Sequence, residues 1–228
     1  MHLTVVAALI ISLFPWATPA QAKGKGKGGK APWSMSNRAS MGAAQTTQRG
    51  TITHFLLNPH GEVDGLLLDN GTEVKWPAHL GTELTATLRP GSTIEVLGYH
   101  DRKGNFKAWQ IRPANGDRVL HNTPRPAYAP KLPGFLRDAR LEKLSASGKI
   151  QHVLTGKKGE PRMILLDSGA QIHVPKHAAW IVSRLATQKT GLQAEGYGIA
   201  APHGTVLRAT VLTPAGEAPI PLYAPATR

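Results

Sequence analysis

Cysteine is absent from all 228 residues. That absence excludes disulfide frameworks, thiolate metal sites, catalytic thiols and Cys-linked lipid anchors. Acidic side chains are scarce: 14 Asp+Glu stand against 27 Lys+Arg, a formal net charge of +13. Aromatic residues make up only 6% of the chain, so any stacking surface for bases must be built from few rings. Residues 1–22 lack every Lys, Arg, Asp and Glu. Beyond them no apolar run approaches the roughly 20 residues that a membrane-crossing helix needs.

What is present begins with an address. Leu3 to Leu13 is almost continuously apolar, Pro15 and Pro19 follow, and the segment closes Ala20-Gln21-Ala22. An apolar core, a helix breaker and small residues at −3 and −1 predict a Sec-type signal peptide cleaved after Ala22. The expected mature protein is periplasmic or secreted, with no transmembrane segment. Residues 23–49 are rich in Gly, Lys, Ser and Ala, hold no acids, and read as a flexible basic arm.

The most informative feature is a duplication. At an offset of 98, residues 50–79 align with 148–177 without a gap, and 12 of 30 positions are identical. Among them are Gly50/Gly148, His54/His152, Leu56/Leu154, Leu67/Leu165, Asp69/Asp167, Gly71/Gly169 and His79/His177. Each copy repeats one pattern. Thr51–Leu57 alternates, placing Ile52, His54 and Leu56 on one face of a first strand. Asp69-Asn70-Gly71 is a hairpin signal joining two further strands. A helical stretch follows Pro77, and two last strands cover 93–99 and 106–111. In the fifth strand Trp109 shares a parity with Ile111 and aligns with Ala209, so it reads as core, as does Trp76 beside Val74.

Three strands, a short helix, then two strands predict a mainly β chain of two tandem five-stranded Greek-key barrels, OB-fold-like, each with one short helix between strands 3 and 4. With Leu66-Leu67-Leu68-Asp69-x-Gly71-x-x-Val74 and Pro77-x-His79 as its motif, the chain resembles bacterial exported tandem OB-fold-like proteins. The resemblance implies a fold and no catalytic residue. Domain 1 is expected at 50–111, a Pro-rich linker with a short helix near 133–144 at 112–147, domain 2 at 148–212, and a tail at 213–228.

The charge divides unevenly over these segments: +6 on the arm, −2 on domain 1, +4 on the linker, +5 on domain 2 and zero on the tail. A single-strand binder of this fold uses the face of strands 2 and 3 together with the first and last hairpin loops. That face and those loops offer Lys75, His60, Arg102 and Lys103 in domain 1, and Lys149, Lys157, Lys158 and His173 in domain 2. Tyr99 and Tyr197 recur at the ends of the fourth strands, and Phe55 is a further candidate for an outward ring. The repeated His54, His79, His152 and His177 are weak metal candidates, because a zinc or copper site wants three or four converging ligands; structural roles are expected of them. Neither a Gly-x-Ser-x-Gly element nor a recurring pair of acids points to catalysis, and no cofactor is expected. The leading expectation is therefore a non-catalytic binding or scaffold protein that meets an anionic partner: an envelope polymer, nucleic acid or an acidic protein. The alternatives are a single-stranded nucleic-acid binder and a periplasmic metal-handling protein.

Overall fold

A computed structural model describes residues 44–126, 133–156, 158–188 and 190–223. The expected signal segment, most of the basic arm and Lys157 lie outside them. The first repeat forms β1 (Gln45–Leu57), β2 (Val63–Leu68), β3 (Glu73–Lys75), a 3-10 turn at Ala78–Leu80 running into α1 (Gly81–Thr87), then β4 (Thr93–His100), β5 (Phe106–Pro113) and β6 (Leu120–His121). After α2 (Gly134–Asp138), the second repeat forms β7 (Glu142–Thr155), β8 (Pro161–Leu166), β9 (Gln171–His173), α3 (Ala179–Gln188), β10 (Gly191–Ala201), β11 (Gly204–Pro214) and β12 (Ile220–Pro221).

In each repeat the long first strand is shared by two neighbours. The C-terminal half of β1 pairs with β2 and its N-terminal half with β4. β3 then meets β5 in parallel, with Val74 opposite Phe106, and this closes the barrel. β7, β10, β9 and β11 repeat the arrangement, β9 pairing in parallel with β11. The protein is mainly β: two closed five-stranded OB-fold barrels, each with a helix between its third and fourth strands. The hairpin signal holds in both copies. Gly71 and Gly169 sit at φ of 80° and 79°, a conformation a Cβ would disfavour. Asp69 Oδ1 accepts from the Thr51 amide at 3.0 Å, and Asp167 Oδ1 from the Lys149 amide at 2.9 Å. The recurring Asp therefore ties each hairpin to its first strand.

Each barrel has an apolar core built mainly from its own strands. Ile52, Leu66, Val74, Trp76, Leu84, Val96 and Ile111 form one core. Ile164, Leu166, Ile172, Val174, Val182, Leu185 and Leu212 form the other. At roughly 1.5–3 kcal/mol per buried aliphatic side chain, these cores supply the main drive to fold without any disulfide.

Strands also run through segments the sequence assigns to arm, linker and tail. β1 begins at Gln45 and β7 at Glu142, because their polar first halves (QTTQR and EKLSAS) pair with β4 and β10. Helix near 133–144 is confined to Gly134–Asp138. β6 and β12 add a short sixth strand to β5 and β11. His79 Nε2–H donates to the Thr123 carbonyl at 3.0 Å, and His177 Nε2–H to the Leu222 carbonyl at 2.6 Å. The repeated histidine after Pro77 and Pro175 thus latches the sixth-strand segment onto its barrel.

Bulges overturn two parity readings. Register shifts between Ile52 and His54, and again between Leu56 and Leu57, split the expected face of β1. Ile52, Phe55 and Leu57 enter the barrel core, whereas Leu56 joins a separate cluster outside it. Phe55 is therefore core, not an outward ring. In β5 the shift between Leu97 and Gly98 sets Ala108 inward and turns Trp109 to the outer surface, half-buried against Tyr99. The matching shift in β10 pairs Gly196 with Ala209, so Ala108 is the counterpart of Ala209 and Trp109 that of Thr210. Both bulges need glycine: a Cβ at Gly98 would lie 2.2 Å from the Lys107 carbonyl oxygen, and one at Gly196 1.9 Å from that of Arg208.

Candidate functional site

The face that an OB barrel offers to a ligand is built from the second and third strands and the loops β1–β2 and β4–β5. Here the two barrels present that face to each other. Leu56 and Leu67 of the first barrel meet Leu154, Met163 and Leu165 of the second in a buried apolar seam. Two polar clamps flank it. Glu73 Oε1 accepts from the Thr155 amide at 2.9 Å, and its Oε2 from the Thr155 hydroxyl at 3.1 Å. Lys75 Nζ pairs with Glu73 at 3.0 Å and reaches the Thr155 carbonyl at 3.4 Å. On the other side Gln171, only 1% exposed, accepts from the Leu57 amide at 2.8 Å and donates to the Phe55 carbonyl at 2.7 Å. His173 Nε2–H donates to the Leu57 carbonyl at 2.9 Å.

The loops interlock as well. β10–β11 is a longer hairpin than β4–β5, and Ile199, Ala201 and Val206 from it pack against the first barrel's core. His203 stands edge-on to Phe55 with ring centroids 5.3 Å apart. Arg208 lies 3.3 Å from His60 Nε2 and donates to Asp138 Oδ1 at 3.0 Å. In return the Lys103 carbonyl approaches Gly159 in the β7–β8 loop.

Electrostatics in the seam favour neutral imidazoles. Burial holds His173 down at about 4; the Leu57 hydrogen bond opposes this, and Arg162, Arg208 and Lys75 add to it. His54 is lowered by burial and by facing His152, and among the described residues its Nδ1 is buried without a partner. His60 is lowered by burial, then by Arg137 and Arg208. Outside the seam, Asp101 sits at about 2: burial works against ionisation, but the Lys103 and Asn105 amides, the Lys107 ammonium and the Asn105 side chain together outweigh it.

The residues expected to form one cationic groove are therefore dispersed. Lys75, His60 and His173 are committed to the seam. Arg102 and Lys103 are exposed on the β4–β5 loop, where the Lys103 main chain meets the second barrel. Lys149 is exposed on β7, and Lys158 on the β7–β8 loop donates its amide to Glu160. Among the described residues no three His, Asp or Glu side chains converge as a metal site. His79 and His177 serve as latches, while His54 and His152 face one another with no third donor.

Sequence reasoning missed the partners that matter most: Glu73, Gln171, Leu57 and Thr155. Their signal was present in the duplication, because Glu73/Gln171, Lys75/His173 and Leu57/Thr155 all stand at the offset of 98. It named Tyr99 and Tyr197 but missed that they lie on the outer sheets and which side chains stand beside them. There Tyr99 and Trp109 stack with centroids 5.0 Å apart and planes 32° apart. Tyr99 pairs in register with Lys107, and Arg112 stands exposed further along β5. At the equivalent place in the second barrel Tyr197, 52% exposed, lies between exposed Lys143 of β7 and Arg208 of β11. The cleft at the α1–β4 corner, lined by Thr87, Pro90, Ser92, Thr93 and Asn115, has no titratable side chain.

No helix among the described residues is long and apolar enough to cross a membrane. No family model matches the chain, and no curated protein matches it. Among solved structures it is similar to a deletion variant and to the wild type of the single-stranded DNA binding protein from Thermus aquaticus, each at 16% identity. The matches cover 80% and 81% of this chain and 97% and 95% of those chains, with TM-scores of 0.25 and 0.24. Likeness at that level adds nothing to the strand pairing, and the assignment to two OB-fold barrels rests on that pairing alone.

Proposed function

We propose that this chain is a non-catalytic binding protein for single-stranded nucleic acid, and that it uses the outer sheets of its barrels in place of the closed strand 2–3 face. The observation that carries this reading is the recurrence of an outward ring at equivalent places on sheets that also carry an exposed cation: Tyr99 on Trp109 with Arg112 further along β5, and Tyr197 opposite Lys143 of β7. Lys107 and Arg208, across from the two tyrosines, are paired with Asp101 and Asp138. Sequence-tolerant binding of single strands needs aromatic faces for bases and cations for phosphates. The basic arm at 23–49 adds nonspecific attraction, which strengthens as salt is lowered. Export by the apolar leader belongs to the same proposal, and a mature protein whose first residue is still Met1 would remove it.

Titrating the full chain with a fluorescent oligo(dT) and with polyphosphate of equal charge, over a salt series, tests the ligand. The expected result is tighter binding of the oligonucleotide, with Trp109→Ala and Tyr197→Ala each loosening it about tenfold, in line with the roughly 1–3 kcal/mol of a base–aromatic stack. Equal affinity for polyphosphate, untouched by either substitution, would leave only a charge-driven contact with anionic polymers. Failure to bind either probe would overturn the proposal.

A further inference from the structure

The polar clamps of the seam are related by a two-fold operation. Glu73 and Gln171 are equivalent residues, and each accepts from the amide of the residue that ends the other barrel's first strand, Thr155 or Leu57. Lys75 and His173 are equivalent, and each donates to the carbonyl of that same residue. Leu56 with Leu154 and Leu67 with Leu165 enter one apolar cluster, and His54 faces His152. Loops exchange in the same sense: Gly61 of the first barrel lies under Ile199 and Ala201, and Gly159 of the second under Lys103. An interface in which residue i meets j' and residue j meets i' is isologous, the form that two identical subunits make about a two-fold axis. Unrelated domains joined by a linker have no reason to reproduce it contact for contact.

We infer that the β1–β3 face of each barrel is a self-association surface whose fitting partner is a second copy of the same barrel, so that the chain is a two-fold dimer of barrels carried on one polypeptide. The two copies have diverged within that frame. Met163 replaces Gly65 in the seam, and the longer β10–β11 hairpin extends over the first barrel. The polar positions remain interchangeable. Gln171 Nε2–H donates to the Phe55 carbonyl, and the carbonyl equivalent to it, that of Val153, would face a Gln at position 73.

Two forms of the full chain test this. In the first, a protease site replaces residues 127–132 and the folded protein is cut there. The two-fold surface should hold the halves together, so that they elute as one peak at the uncut mass; barrels that elute separately would overturn the inference. In the second, Glu73→Gln with Lys75→His gives the first barrel the clamp of the second. The melting midpoint should stay within about 2 °C of the parent, no more than the shift expected for a loss of about 1 kcal/mol in a cooperative unit that spans both barrels. A fall as large as that of Gln171→Leu would show that the two clamps are not equivalent and would sink the two-fold assignment.

Discussion

Gln171 shows how one side chain decides whether two barrels behave as one body. It is the buried member of the clamp and satisfies two main-chain groups of the other barrel at once. Gln171→Leu keeps the volume but leaves the Leu57 amide and the Phe55 carbonyl unpaired, at about 1–3 kcal/mol each. Chemical denaturation should therefore show a loss of about 3 kcal/mol. His173 adds a dependence on pH with a definite sign. Its folded value of about 4 lies below the ordinary 6.5, so the unfolded chain binds the proton first. Stability is fully present above pH 6.5 and falls as pH drops from 6.5 toward 4, by about 3 kcal/mol from this group. His54 and His60 are shifted the same way and steepen the fall. Unfolding free energies measured between pH 7 and 4 should show this slope, and His173→Gln, which keeps a donor for the Leu57 carbonyl, should flatten it. A profile that His173→Gln leaves unchanged would place the proton uptake elsewhere.

Elements differ in how plainly the sequence announces them. The hairpin β2–β3 is legible because Asp69-Asn70-Gly71 recurs as Asp167-Ser168-Gly169, and each residue has a local duty: the carboxylate accepts, the glycine takes positive φ. The long first strands are half legible. Their C-terminal parts carry the strong apolar alternation, whereas QTTQR has no apolar residue and EKLSAS only the short alternation Leu144-Ser145-Ala146-Ser147, too brief to announce a strand. Bulges are illegible from the pattern alone because one extra residue reverses parity downstream, as Trp109 shows. Gly98→Ala tests that element directly. The added methyl meets the Lys107 carbonyl oxygen, so the β4–β5 pair must shift. A melting point lower by several degrees is expected, together with a changed Trp109 fluorescence as the Tyr99–Trp109 stack is displaced. His79→Ala removes the β6 latch and should cost about 1 kcal/mol, the usual net worth of one such hydrogen bond; no measurable loss would mean that β6 holds without it.

At the scale of the whole molecule, the duplication announced two barrels but not that they would close on one another. The residues that do so, Leu56, Leu67, Leu154 and Leu165, read equally well as core positions of single barrels. What distinguished them was a second apolar face on strands that need only one, and a bulge concealed it. Because the seam and its clamps join the barrels and Val206 of the second enters the core of the first, the two should unfold in one calorimetric transition. Leu154→Ala should lower its free energy by about 2–4 kcal/mol through the cavity left in the seam. Two resolved transitions in the parent protein would contradict a shared cooperative unit. Finally, β5 is paired with β4 along one side and with β3 and then β6 along the other, and β11 is bounded in the same way by β10, β9 and β12. A strand hydrogen-bonded on both flanks offers no free ladder for an incoming chain to extend. The added β6 and β12 therefore act as end-stops, and they deny fibril-forming growth its template along these strands.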